Sequence, residues 1–179
     1  MNHPLRTGLI YGSTREGRLC DSVAGWVADQ ARTQERIVLD PIDPLAGDDG
    51  MLRGRIDAAD AFIVVTPEYN HSFPGPLKSL IDSAKREWEA KPVGFVSYGG
   101  ISGGLRAVEH LRGVFAELHA VGLRDSVSFA NAWDQFDSEG RLGDGARAGR
   151  SLSTMLSRLE WWGVALRNAR AARAYGEAA

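Results

Sequence analysis

Three short stretches of the chain hold residue types suited to meeting a ligand, and they lie far apart in sequence. The first, Gly12-Ser13-Thr14-Arg15-Glu16-Gly17-Arg18-Leu19-Cys20, brings two glycines that let backbone N–H groups converge, two hydroxyls and two guanidinium groups. With a helix following it, the helix N-terminus adds partial positive charge, and the combination suits a phosphate. The second, Pro67 to Pro76, carries Glu68, Tyr69, Asn70 and His71 among three prolines that stiffen it. Such a loop presents backbone donors and an aromatic ring to a flat ligand with little ordering entropy. The third, Ser97-Tyr98-Gly99-Gly100-Ile101-Ser102-Gly103-Gly104, is poor in side chains, so its backbone can approach a planar edge closely. Together they describe a site for a phosphorylated planar ligand, without saying which one.

Several other chemistries are disfavoured. The first stretch is neither GxGxxG nor GxxxxGK[ST], which removes the dinucleotide fingerprint and the ATP phosphate loop. There is no GxSxG elbow for a serine hydrolase. His3, His71, His110 and His119 are scattered without an HExxH pair, and a single cysteine, Cys20, can form neither an internal disulfide nor a zinc set, so no metal is expected. Cys20 reads first as a small packed residue, although a helix start and Arg18 would lower its thiol pKa. His71 and Tyr69 are the two candidates for proton donation, and His71 reads first as an exposed loop histidine. With Lys+Arg 21 against Asp+Glu 23 the net charge is −2, which gives no general attraction to nucleic acid or to an anionic membrane. No apolar run approaches the ~18 residues of a membrane span, and the N-terminal run is too short for a signal peptide, so a cytoplasmic protein is expected.

The elements that must position these stretches alternate along the chain. Leu9-Ile10-Tyr11 reads as a strand feeding a helix with Val23, Trp26, Val27 and Ala31 on one face. Ile37-Val38-Leu39 is a second strand, followed by a loop and a short helical stretch around Met51 to Ala59. Ala61 to Thr66 is an unbroken β-branched and aromatic run, the mark of a strand covered on both faces. Pro76 suits a first helical turn, after which Leu77, Leu80, Ile81, Ala84 and Trp88 repeat at helical spacing. Val93 to Tyr98 and Ser126 to Phe129 read as strands, separated by a helix with Leu105, Val108, Leu111, Phe115 and Leu118 in a stripe. A last helix, Asp144 to Arg173, buries Leu152, Met155, Leu156, Leu159, Trp162 and Leu166. Its stretch holds seven arginines from Arg141 to Arg173 against Asp144 and Glu160, and a solvated face is the default for them.

Five strands each followed by a helix imply one α/β domain over residues 1–179: a doubly wound five-stranded parallel sheet of order 2-1-3-4-5 with helices on both faces. Ligands then bind beyond the carboxyl ends of the strands, at the switch point between strands one and three. All three stretches fall there. The 21 glycines, against a usual share of about 7%, cluster accordingly: Gly8, Gly12 and Gly17, then Gly94, Gly99, Gly100, Gly103 and Gly104.

The motifs GSTREGR, VVTPEYNHSFPGPLKSLID and KPVGFVSYGGISGGLRAVEHLR resemble the NAD(P)H-dependent FMN reductase family of flavodoxin-like proteins, which includes quinone, azo-dye and chromate reductases. The resemblance runs from about Thr7 to Val121. It implies bound FMN, with Ser13, Arg15, Arg18, Leu19 and Cys20 around the phosphate, partly through backbone. It places Pro67, Glu68, Tyr69 and Asn70 along the isoalloxazine, and Ser97, Gly99 and Gly100 at its pyrimidine edge. Two departures stand out. Many relatives carry serine in place of Arg18 and asparagine in place of Cys20, and the Asp40 to Leu52 segment is shorter than theirs.

The resemblance further implies NADPH or NADH as electron donor, a small-molecule acceptor (quinone, free flavin, azo compound or metal oxyanion), and a homodimer or homotetramer. One FMN domain without a separate nucleotide domain implies a ping-pong cycle in which donor and acceptor share one flavin face, with no dedicated catalytic residue. The alternatives are a flavodoxin-like electron carrier, disfavoured by the near-neutral charge, and a flavin-free interaction domain of the same fold.

Overall fold

Every residue of Ala61–Pro67, which forms strand β3, is buried. In this computed structural model, which describes residues 3–47 and 50–176, β3 is the middle strand of five. The others are β1 (Leu5–Tyr11), β2 (Ile37–Ile42), β4 (Pro92–Gly99) and β5 (Val121–Ala130). They pair in the order β2-β1-β3-β4-β5, and all four pairings are parallel. The helices are α1 (Cys20–Ala31), α2 (Leu52–Ala58), α3 (Gly75–Asp82), α4 (Leu105–Glu117) and α5 (Ala146–Ala172).

Alternation along β3 divides the core in two. Ile63 and Val65 join Leu5 and Leu9 beneath α1 and α5, against Val23, Val27, Met155 and Leu159. Phe62 and Val64 face the other way and join Ile10 beneath α2, α3 and α4, against Ile56, Leu77, Leu111 and Phe115. A strand buried on both faces needs apolar residues of both parities, which is why the run reads as continuous.

Three local expectations are corrected. The strands β1, β2 and β5 run well beyond their apolar cores, because parallel ladders also pair Arg6, Gly8, Asp40 and Gly122, which carry no hydrophobic signal. The helix after Pro76 ends at Asp82. Trp88 sits instead on a separate 3₁₀ turn, Arg86–Trp88, where its indole N–H donates to the Ile81 carbonyl at 3.0 Å. The helix end is thereby satisfied by a buried side chain that also packs on Phe62 and Phe115. On α5, Trp162 is not in the core. The helix closes on β1 through Gly163, where a Cβ would lie 2.6 Å from a Leu5 methyl, so the buried stripe passes through 152, 155, 156, 159 and 163. Trp162 is left at the edge of the stripe and Trp161 outside it.

The glycines divide as well. Gly8 and Gly94 sit inside strands, with Phe62 and Met155 filling the space a side chain would need, so they serve core packing rather than a loop. The arginines of the last helical stretch are in part committed: Arg141, Arg158, Arg167 and Arg170 form ion pairs with Asp137, Asp125 and Asp60. The Asp40 to Leu52 segment comprises the end of β2, a 3₁₀ turn at Pro44–Ala46 and the approach to α2, with residues 48 and 49 outside the described residues. No helix of the described chain is long and apolar enough to cross a membrane.

Candidate functional site

Strands β1 and β3 send their following helices to opposite faces of the sheet, which leaves a cleft at their carboxyl ends. The loops after β1, β3 and β4 border it, and side chains join them to one another.

The first loop leaves β1 at Gly12, whose N–H donates to the Val65 carbonyl at 2.7 Å. A Cβ at Gly12 would lie 2.6 Å from that same oxygen, so only glycine allows this approach. Ser13 is buried, and its hydroxyl is 2.8 Å from the Tyr69 hydroxyl. The exposed Arg15 guanidinium lies over the Tyr69 ring, 3.7 Å from its centroid. Residues 16–17 form a turn before α1, and among the described residues the backbone N–H groups of Glu16, Gly17, Leu19 and Cys20 have no acceptor within hydrogen-bond distance. Open donors there and at the helix start suit an anion.

Arg18 has a different place from Arg15. Its guanidinium forms a two-pronged pair with Asp43 and bonds Asp21 at 2.9 Å and the Ser13 carbonyl at 2.5 Å. Only 6% of the side chain is exposed. Hydrogen bonds to Asp43 hold Arg18 protonated, and Arg18 in turn holds the Asp43 carboxyl below its ordinary range. This brace ties the loop to the turn after β2, with its charge balanced by two carboxylates. Leu19 occupies the cap position of α1 and packs on the core. Cys20 is fully buried, and its thiol lies 3.6 Å from the Val65 carbonyl. Burial raises its pKa, outweighing hydrogen bonds with Tyr98 and the backbone, so the thiol is packed and unactivated.

The second loop is a miniature hairpin. Tyr69 and Ser72 exchange backbone hydrogen bonds of 2.8 and 3.0 Å around Asn70 and His71, at φ of 49° and 67°. This is the geometry of a type I′ turn. Asn70 and His71 are exposed at its tip, and Pro67 is buried at its base. Glu68 points back toward α4. Its carboxylate accepts from the Ser102 hydroxyl at 2.8 Å, the Arg106 N–H at 3.2 Å and the Arg106 guanidinium at 2.7 Å. Burial alone would raise this carboxyl, but those three donors outweigh it and hold the pKa low.

In the third loop, the Gly103 carbonyl accepts from both the Ser97 and Ser128 hydroxyls, at 2.8 and 2.9 Å. Gly104, at φ 83°, would place a Cβ 2.7 Å from that of Ser97. Gly103 and Gly104 are therefore required by the turn itself. Gly99 and Gly100 are the half-exposed glycines that meet the cleft edge. A cavity of about 660 Å³ adjoins Thr14 between the Asp43 turn and α3, and neither Tyr69 nor Gly100 lines it.

The structure thus joins Ser13, Arg15 and Tyr69 directly, and sets Glu68 and Ser97 to bracing the loops with their side chains. Sequence reading missed Asp43, Ser102 and Arg106, whose roles depend on distant partners. It also missed Trp133, which stands beside Gly100.

Known proteins resemble this chain in sequence and in fold. Residues 5–134 match the family described as NADPH-dependent FMN reductase. The chain is 45% identical over 100 residues to an NAD(P)H:quinone oxidoreductase of Solanum tuberosum, covering 51% of this chain and 50% of that protein. It is 32% identical over 117 residues to an NAD(P)H-dependent FMN reductase of Schizosaccharomyces pombe, covering 54% and 58%. The chain thus spans little more than half the length of these curated relatives. Among solved structures, the flavoenzyme NAD(P)H:(acceptor) oxidoreductase FerB of Paracoccus denitrificans superposes with a TM-score of 0.69. It shares 22% identity, over 88% of this chain and 97% of that one, a likeness of fold.

Proposed function

The chain belongs to the NADPH-dependent FMN reductase family, and from that premise we propose that residues 1–179 form a single FMN-binding domain that passes electrons from NAD(P)H to a small-molecule acceptor such as a quinone. The observation that carries this reading is the Ser13–Tyr69–Arg15 contact, which sets a guanidinium and an aromatic ring beside the open donors at the start of α1. It offers a phosphate its donors and a flat ring its aromatic neighbour within one cleft.

The residues present fit FMN. Open N–H groups between Glu16 and Cys20 and the Arg15 guanidinium would hold its phosphate, while Arg18 keeps the loop in shape through Asp43. Pro67, Tyr69 and Asn70 line the ring. The Glu68 side chain keeps that loop against α4, leaving its backbone to line the ring, and the Ser97 side chain likewise acts through Gly103. The backbone at Gly99 and Gly100 would meet the pyrimidine edge, where an N–H donor would favour negative charge. When bound, FMN would supply the two-electron redox chemistry between donor and acceptor. The net reaction is NAD(P)H + H⁺ + quinone → NAD(P)⁺ + hydroquinone. The same reading takes the order as ping-pong, with donor and acceptor using one face of the cofactor in turn. Solvent supplies the proton, with the exposed His71 and the half-buried Tyr69 as candidate side-chain relays. The same reading takes the protein as a homodimer or homotetramer, with the exposed Trp161–Trp162 pair a candidate subunit contact.

Adding FMN to the purified protein, then NADPH or NADH without air, tests this. Uptake of flavin and bleaching by the nucleotide are expected, with parallel double-reciprocal plots for donor and quinone. Colour that no nucleotide bleaches makes the protein an electron carrier, and no flavin uptake removes the reading.

A further inference from the structure

The turn after β5 carries an aromatic side chain that the three loops leave unused. Its position is well anchored. Ala132 and Phe136 are buried beneath it, and Asn131, at φ 47°, donates its N–H to the Gly100 carbonyl at 2.9 Å. The Asp134 N–H closes the turn on the Asn131 carbonyl at 3.0 Å. Between these anchors Trp133 turns outward and is 62% exposed. Its indole nonetheless lies beside the third loop, since a Cβ built on Gly100 would meet its Cη2 at 3.7 Å. Ile101, 89% exposed, stands next along that loop.

An exposed tryptophan has large apolar area and a flat face, and it is informative where it borders a cleft. Trp161 and Trp162 border none: α5 returns toward the start of β1, where Gly163 meets Leu5, so that pair lies at the opposite end of the sheet. Tyr69, the aromatic residue of the second loop, already has the Arg15 guanidinium over its ring. Among the described residues no cation lies over the Trp133 ring, and its neighbour in the third loop is a glycine.

Building on the FMN-reductase reading, we propose that Trp133 is a specificity-determining residue for the electron acceptor, forming a stacking wall for planar aromatic acceptors of the quinone type. At 62% exposed the indole offers a face for a ring to lie against, and the Asn131–Gly100 hydrogen bond fixes the distance between turn and loop. Aromatic rings gain from offset stacking beyond the area they bury. A compact acceptor without an aromatic face gains nothing from the wall.

The test compares wild type, Trp133→Ala and Trp133→Phe with two acceptors, menadione and ferricyanide. Trp133→Ala is expected to raise the menadione KM by about three- to tenfold while the ferricyanide KM and the FMN content stay unchanged. Equilibrium dialysis of menadione against the FMN-loaded protein should show the same loss in Kd, and Trp133→Phe should restore most of it. Unchanged menadione binding overturns the proposal, as does equal weakening of both acceptors. Loss of FMN from the alanine variant would assign the indole to the cofactor, and a change in sedimentation would assign it to a subunit contact; either also overturns it. Wild-type protein that takes up no FMN removes the function reading and this one together, whereas a working wild type with an unaffected Trp133→Ala removes only this one.

Discussion

Arg15 and Arg18 are three residues apart and do different work. Arg18 is enclosed by Asp43, Asp21 and the Ser13 carbonyl, whereas Arg15 rests exposed on the Tyr69 ring. A charge already matched by two carboxylates adds little for a phosphate, so Arg15 is the cationic side chain of the first loop left to meet one. A guanidinium–phosphate bond contributes about 1.5–3 kcal/mol, but leaving the Tyr69 ring costs about 0.5–1 kcal/mol. Arg15→Ala is therefore expected to weaken FMN binding by about 1–2 kcal/mol. Fluorescence titration of FMN checks it, and an unchanged Kd would place Arg15 outside the site. The motif supplies both arginines, but which one is free depends on Asp43, a residue outside the motif.

At the scale of elements, the cleft is held by connections between loops rather than within them. Arg18–Asp43 joins the start of α1 to the turn after β2, and Glu68 joins the loop after β3 to the start of α4. Because Arg18 is almost wholly buried and Asp43 about a quarter exposed, Asp43→Ala leaves a guanidinium poorly paired. The expected cost is about 1–2 kcal/mol of stability at neutral pH, below the range for a fully buried pair. Since the Asp43 carboxyl is held below its ordinary range in the fold, its contribution is present above the unfolded pKa. It is lost as pH falls through the folded one. Urea unfolding of both proteins at pH 7 and pH 3 should show the difference shrink in acid. A difference that stays constant would show that the carboxylate's charge is not what stabilises. Element types were legible because apolar periodicity survives in the sequence. The end of α3 was not, because Trp88 keeps helical spacing while its indole stops the helix through a contact seven residues back.

Across the whole molecule, the two ends of the sheet have separate tasks. The carboxyl end holds the cleft, with exposed loops and open donors. The amino end holds Asp60 with Arg167 and Arg170, and the buried Lys91, whose ammonium donates to the Ile56 and Asp57 carbonyls at 2.8 and 2.7 Å. Burial, with Arg170 nearby, lowers the Lys91 pKa to about 8, against the pull of Asp57, Asp60 and Glu87. Between that value and the ordinary lysine range, the unfolded chain binds the proton and the folded one does not, so this group adds stability as pH rises. Chemical unfolding of wild type and Lys91→Met at pH 7.5 and pH 10 is expected to show wild type gaining about 1–3 kcal/mol relative to the variant. No relative gain would mean that the amine stays charged in the fold. FMN uptake should be unaffected, because Lys91 lies at the end of the sheet away from the cleft.

What the sequence by itself determined is the strand and helix alternation, the 2-1-3-4-5 sheet order and the three loops that meet at its switch point. These follow from local periodicity, glycine placement and chain handedness, which are properties of neighbours along the chain. Only the tertiary structure decided which side chains of those loops face the cleft and which brace it. It separated Arg15 from Arg18, turned Glu68 and Ser97 toward bracing contacts, buried Cys20, and brought Trp133 beside Gly100. All but the Ser97–Gly103 bond rest on a partner more than twenty residues away, and the geometry of a hydrogen bond or a ring contact exists only once the fold has brought both partners together.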